Sequence, residues 1–208
     1  MSNKKCYILF SIFFLIMFLP CERIESYSLE SYSSASQNPK RLEKKLSGEE
    51  YLMKKFRLFS AITPLQEEWI ALEEEVFGIT SVTQDVDWKK INKKGKLLLE
   101  KATKIFLIHY GEDRQKIFNE INEENKEKLE PFLRQSFIYT DTLHRAIMKL
   151  ALIINRLYKT VVEPGSWSAK EYLKELDEYK ALSEEYKKEG TKMNEELKKM
   201  REVTLIIK

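Results

Sequence analysis

Few residues in this chain are of the types that make or break bonds. It has two histidines, His109 and His144, and two cysteines, Cys6 and Cys21. The histidines fall on different predicted helices. Neither belongs to a His-Glu-x-x-His pair, and no cysteine lies near them, so they lack the spacing of a metal site. They read as surface or core-edge histidines. There is no Gly-x-Ser-x-Gly nucleophile turn, no Gly-x-x-x-x-Gly-Lys phosphate loop and no Gly-x-Gly-x-x-Gly fingerprint. Acid pairs such as Glu123 and Glu124 sit inside Lys/Glu runs, which suits a solvated helix face and not a general acid and base. The expectation is a protein that is not an enzyme and that uses neither metal nor cofactor.

Binding chemistry remains. Aromatic residues recur through the helical part, among them Trp69, Phe132, Phe137, Tyr139 and Tyr179. They either fill a core or wall a hollow one, and ligand sites of the second kind are apolar, concave and sparing with polar groups. The residues placed to wall such a space are Phe132, Phe137, Ile147, Leu150, Ile154 and Leu157 on one side and Leu176, Tyr179 and Leu182 on the other. An acyl tail there would gain about 0.8 kcal/mol per buried methylene. Its carboxylate would need a cation at the mouth, and Arg145 and Arg156 flank the apolar face. In a solid core the same tail would overpack, at about 1–3 kcal/mol. The chain would then act by recognising another protein, presenting the Lys/Glu-rich helices from Lys170 to Lys208.

These positions require helices. Ser47-Gly-Glu-Glu50 and Ser168-Ala-Lys-Glu171 have capping-box spacing. Thr63-Pro64-Leu65-Gln66 predicts a third start, with Pro64 at the first helical position. Leu65, Trp69, Leu72 and Val76 then step along one face until Gly78. A further helix is expected from Val86 to Tyr110, with Gly95 as a dividing point. After Ile117, Phe118 and Ile121 comes a polar run, Asn122 to Lys128, and Pro131 should start, kink or break a helix. Asp141 is the expected cap of the broadest apolar stripe: Leu143, Ile147, Leu150, Ile154, Leu157, Val161. Pro164-Gly165 ends it. That short connection should make antiparallel neighbours of the helices it joins, bringing Leu173, Leu176, Tyr179 and Leu182 onto the stripe. Gly190 is the expected end of this helix, with Thr191 capping a last one. The only strand candidates are Gly78–Thr83, which reads better as a loop, and the tail from Val203 to Ile207. No heptad run is sustained enough for a parallel coiled coil. The predicted fold is all-α, a compact bundle of six to eight amphipathic helices with room for an apolar cavity.

The first residues concern the compartment. Lys4 and Lys5 precede an apolar run of about fourteen residues, Cys6 to Leu19, cut short by Pro20, Glu22 and Arg23. That is the layout of a secretory signal, too short for a membrane span. The expected division is a signal peptide at 1–21, a flexible polar leader at 22–46 and one helical domain at 47–208, in a secreted, extracellular protein. The full chain carries 36 basic and 33 acidic residues. Without Lys4 and Lys5 the balance falls to 34 against 33, a net +1, which gives no strong membrane affinity and no pull toward nucleic acid. Loss of Cys6 and Cys21 would leave packing alone to hold the fold.

One stretch carries a resemblance. Glu163-Pro164-Gly165, followed by Tyr179-Lys180-Ala181-Leu182-Ser183-Glu184-Glu185, resembles the C-terminal part of the nematode fatty-acid- and retinol-binding proteins. Ile117-Phe118-Asn-Glu-Ile-Asn122, running on to Leu129, is similar to that family's helix, break and acidic helix start. The likeness covers about residues 112–190 and does not extend to the N-terminal half with Trp69 and Trp88. It implies an all-α wedge with an internal apolar cavity, binding fatty acid or retinol non-covalently in a secreted protein. It assigns no particular binding residue.

Overall fold

The computed structural model describes residues 43–208 apart from 57, 80–85 and 111. The expected signal at 1–21, most of the expected leader and residues 80–83 of the Gly78–Thr83 segment lie outside the described residues. Among those described, six α-helices and one two-stranded antiparallel sheet follow in the order β1 Lys44–Ser47, α1 Gly48–Lys55, α2 Leu58–Phe77, α3 Trp88–Tyr110, α4 Glu112–Glu120, α5 Glu123–Val162, α6 Ala169–Arg201 and β2 Thr204–Ile207. The fold is an all-α bundle. No helix among the described residues is long and apolar enough to cross a membrane.

Two helix starts follow directly from local chemistry. The Ser47 hydroxyl accepts from the Glu50 amide, and the Glu50 carboxylate accepts from the Ser47 amide, both at 3.1 Å. Ser168 and Glu171 repeat the arrangement at the head of α6. Each box satisfies amides that a helix start would otherwise leave orphaned.

Three expected interruptions are absent, and one cause accounts for them. Helix α5 runs for 40 residues, about 60 Å along the chain, and neither starts nor breaks at Pro131 or Asp141. Its buried residues Leu129, Phe132, Ser136, Tyr139, Leu143, Ala146, Leu150 and Ile153 alternate in steps of three and four. Pro131 is exposed, on the solvent side of this stripe. There, water can serve the carbonyl that lacks an amide partner, so the break that proline imposes in a buried position does not follow. Asp141 is consequently mid-helix and caps nothing. Helix α6 likewise continues through Gly190 and Thr191. Tyr179, Ser183, Tyr186, Gly190, Met193, Leu197 and Met200 are all buried and step by four and three. Gly190 therefore occupies a core position, and burial on both sides outweighs the roughly 1 kcal/mol propensity loss of an interior glycine. Helix α2 begins at Leu58, not at Pro64, because Ile62 continues the Leu65, Trp69, Leu72 and Val76 face one turn backward.

The α5 and α6 stripes meet. Contacts descend α6 as they climb α5: Gln135 with Glu189, Tyr139 with Tyr186, Lys149 with Glu178, Arg156 with Glu175. The pair is an antiparallel hairpin turned at Pro164 and Gly165, the latter at φ 90°. A buried period of 3.5 is the pattern of a coiled-coil seam, and here it is closed within one chain. Helix α3 lies along the other side of α5. Gly95 does not divide it; a Cβ there would stand 3.3 Å from Ile154 Cδ1 and 3.7 Å from Ala151 Cα, so the missing side chain is what lets the helices approach. Helix α2 packs on α3, across the Lys94–Glu75 and Lys101–Glu68 ion pairs.

The tail is part of the fold. Residues 44–46, expected in the flexible leader, form β1, which pairs Lys44–Ser47 with Ile207–Thr204. On its other edge β2 meets the α4–α5 junction, where Asn122 donates to Ile206 at 3.3 Å and Lys208 donates to Glu120 at 3.0 Å. Leu205 is fully buried between them. Hydrogen-bonded on both sides, this short strand holds where an isolated one would not.

Ile154→Asp should place an unpaired carboxylate between α5 and α3. The expected loss is several kcal/mol, comparable with the whole stability of a domain of this size. Lys188→Ala, on the solvent face of α6, should stay within about 0.5 kcal/mol of the parent. Urea unfolding followed by circular dichroism measures both.

Candidate functional site

The centre of the bundle, where α2, α5 and α6 converge, is the position expected for a ligand. Its side chains bond to one another. Trp69 Nε1 donates to the Tyr179 hydroxyl at 2.8 Å, and the Tyr179 ring lies 5.7 Å from that of Phe77. Gln66 Nε2 donates to the Tyr139 hydroxyl at 3.0 Å and also to Tyr186, whose hydroxyl bonds that of Tyr139. The Tyr139 and Tyr186 rings stack at 4.8 Å, and Trp69 meets Tyr186 edge-on at 5.3 Å. A polar-edged aromatic layer thus joins three helices. Glu73 accepts from Tyr179 at its margin; burial raises its carboxyl above the usual range, against the pull of that bond.

The candidate wall residues divide around this layer. Phe132, Ile147, Leu150, Ile154 and Tyr179 are buried to within a few per cent. Leu157, Leu176 and Leu182 are half-buried. Phe137 is half-buried on the α3 side, its ring 6.2 Å from Phe106. Leu173, expected on the α5 face, is instead 57% exposed, six residues before the buried stripe of α6 begins at Tyr179.

The two candidate mouth cations are engaged by acids of α6. Arg156 Nη1 lies 2.7 Å from Glu175, with its guanidinium 5.7 Å over the Trp167 ring. Arg145 lies 3.3 Å from Glu185 and 3.8 Å from Asp141. Between them Lys149, more buried than either, pairs with both Glu175 and Glu178. Burial pulls its ammonium down, but the bonds to the two carboxylates outweigh this and leave it raised. The row stitches the hairpin along one edge.

His144 is the core-edge histidine that its position implies. Its ring stacks on Phe106 at 4.9 Å, Nε2 lies 3.0 Å from the Thr103 hydroxyl, and burial lowers its basicity.

Two features were not legible as sites. Gln66 has the spacing of a backbone cap, yet it serves the core. The signal available for this is Ile62, three residues before Leu65, which shows the helix already running before Pro64. The second feature is a pair of open clefts along α3. One, about 300 Å³ between α2 and α3, is lined by residues that include Glu68, Glu75, Lys94, Leu97 and Lys101. The other, about 450 Å³ at the start of α3, is lined by Asp87, Lys89, Lys90, Asn92, Lys93, Lys96 and Tyr158. None of the eleven candidate residues lines either.

Burial pushes the Tyr139 hydroxyl up to about 12 and that of Tyr186 well above its ordinary value. An unfolded tyrosine ionises near pH 10. The neutral core is therefore fully favoured below about pH 10, and its contribution is lost as pH rises toward 12. In a titration followed near 295 nm, the last tyrosine absorbance should appear together with alkaline unfolding. All ten tyrosines ionising near pH 10 with the helical signal intact would contradict this packing.

No protein-family model, curated protein or solved structure matches this chain.

Proposed function

We propose that this chain is a secreted, non-enzymatic helical interaction protein with a filled core, which recognises a protein partner through its solvent-facing helices. One observation carries the reading: the Gln66, Trp69, Tyr139, Tyr179 and Tyr186 layer occupies the space a lipid tail would need, with its polar atoms already bonded to each other. Opening it would break those bonds and strand buried groups, at about 1–3 kcal/mol for each group left unpaired.

The surface is consistent with this role. The outer face of α6 carries short-range pairs such as Lys187 with Glu184 and Lys199 with Glu196, a balanced, well-solvated face. Large apolar side chains stand exposed on α3 (Leu97, Leu107, Ile108) and on α5 (Met148, Leu152). Exposed apolar groups framed by charge are the usual composition of a protein-binding face. Secretion rests on the lysine-led apolar run at the N-terminus.

Titration with a fluorescent fatty-acid analogue, and separately with retinol, decides between a filled core and the carrier suggested by the family resemblance. The filled core predicts no saturable blue-shifted emission. Saturable uptake that oleate reverses would overturn the proposal and make the chain a carrier.

A further inference from the structure

We propose that the outer face formed by α2 and α3 is covered by a second copy of the chain, in a two-fold dimer that sets α2 of each copy against α3 of the other. The inference rests on the interaction reading above and names the partner for one face of the molecule.

Its ground is a separation of charge between two neighbouring helices. Helix α2 carries five glutamates and neither lysine nor arginine. Helix α3 carries seven lysines and one glutamate. Two ion pairs close the groove between them, Lys94 with Glu75 and Lys101 with Glu68, each at 2.6 Å. Beside these, Glu67 and Glu74 on α2 and Lys90 and Lys93 on α3 are exposed and enter no ion pair among the described residues. The face therefore shows an acidic strip and a basic strip side by side. Between the strips it is apolar. The cleft of about 300 Å³ has exposed Ala71 on its α2 side and Leu97, 49% exposed, on its α3 side, with buried Leu72 and Leu98 also lining it.

Such a surface is complementary to itself. The axis of an isologous dimer lies in the plane of contact. An axis along the groove lays α2 of one copy on α3 of the other and opposes unlike charges. An axis across the groove would lay α2 on α2 and α3 on α3 and oppose like charges. Electrostatic complementarity selects the first. That axis also conserves position along the groove, so residues that are neighbours across it within a chain come opposite each other between chains. Glu74 then faces Lys93 of the second copy, Glu67 faces Lys104, and Leu97 of each copy enters the cleft beside Ala71 of the other. An unrelated partner would have to match both strips; a second copy does so by symmetry. Helices of this length span about 30 Å, and two side by side about 20 Å. The contact would bury about 1,200 Å² over both copies, at the lower end of specific interfaces. A weak, salt-sensitive dimer is expected.

Analytical ultracentrifugation of the full chain from about 1 to about 200 µM tests the assignment. A monomer–dimer equilibrium should appear, and should weaken by about tenfold or more in about 1 M salt, where the screening length is about 3 Å. Glu67→Lys/Glu74→Lys and Lys93→Glu/Lys104→Glu, all surface changes that should leave melting near that of the parent, should each weaken the dimer by about tenfold or more. Mixed in equal amounts, the two variants should pair with each other, and all four changes in one chain should restore the homodimer. A chain that stays monomeric throughout, a dimer indifferent to both reversals, or reversals that fail to rescue one another would overturn the inference. A monomer that takes up no lipid removes the second copy as partner and leaves the interaction reading standing; saturable lipid uptake removes that reading itself.

Discussion

The structure depends on one seam, the buried 3.5-residue repeat shared by α5 and α6. Two tyrosines lie at its middle, and a phenol cannot be buried without a partner for its hydroxyl. Tyr139 and Tyr186 solve this for each other and draw in Gln66 from α2. The arrangement fixes register, because sliding the hairpin by one turn would separate the hydroxyls inside an apolar core. It also ties α2, which packs chiefly on α3, to the α5–α6 hairpin. The ion pairs of Lys149, Arg156 and Arg145 follow the same register on the outside. The exposed pair of Arg145 with Glu185 adds little to stability, at about 0–1 kcal/mol; its effect is on alignment.

The other side of α5 is organised by an absence. At Gly95 the helices approach so closely that a Cβ would stand 3.3 Å from Ile154 Cδ1 and in contact with the Ala151 backbone. That approach lays the first turns of α3 beside the end of α5. Asn92 consequently reaches Asn155, and Tyr158 comes to the lysine cleft. The packing of the bundle and the shape of its basic cleft thus have a common origin. The filled core and the cleft remain separate in chemistry: one is neutral, bonded and closed, and the other is charged and open.

Much of this is legible in the sequence, and the rest is hidden for physical reasons. The capping boxes at Ser47 and Ser168 and the turn at Pro164-Gly165 are local, and local signals decide them. The antiparallel meeting of Tyr179 and its neighbours with the α5 stripe follows from that turn. Pro64, Pro131, Asp141 and Gly190 are also local signals, but there the apolar period continues past them on both sides. Tertiary burial then outweighs a break worth a few kcal/mol at most. Register along a strand cannot be read locally, so β1 is concealed in a polar leader. The cleft lysines look like any solvated run until Lys94 and Lys101 are seen to be paired, while the others enter no ion pair among the described residues. Arg145 and Arg156 flank the apolar face as their spacing requires, yet only the fold shows that Glu175 and Glu185 stand opposite them.

Site-resolved amide hydrogen exchange tests the central claim, that α5 is one helix held whole by its seam. Amides from Phe132 to Ile154 and from Tyr179 to Met200 should exchange only through a common opening, with a free energy equal to that of global unfolding. Independent, faster opening of residues 123–140 relative to 141–162 would mean that the helix divides near Pro131, and would contradict the account.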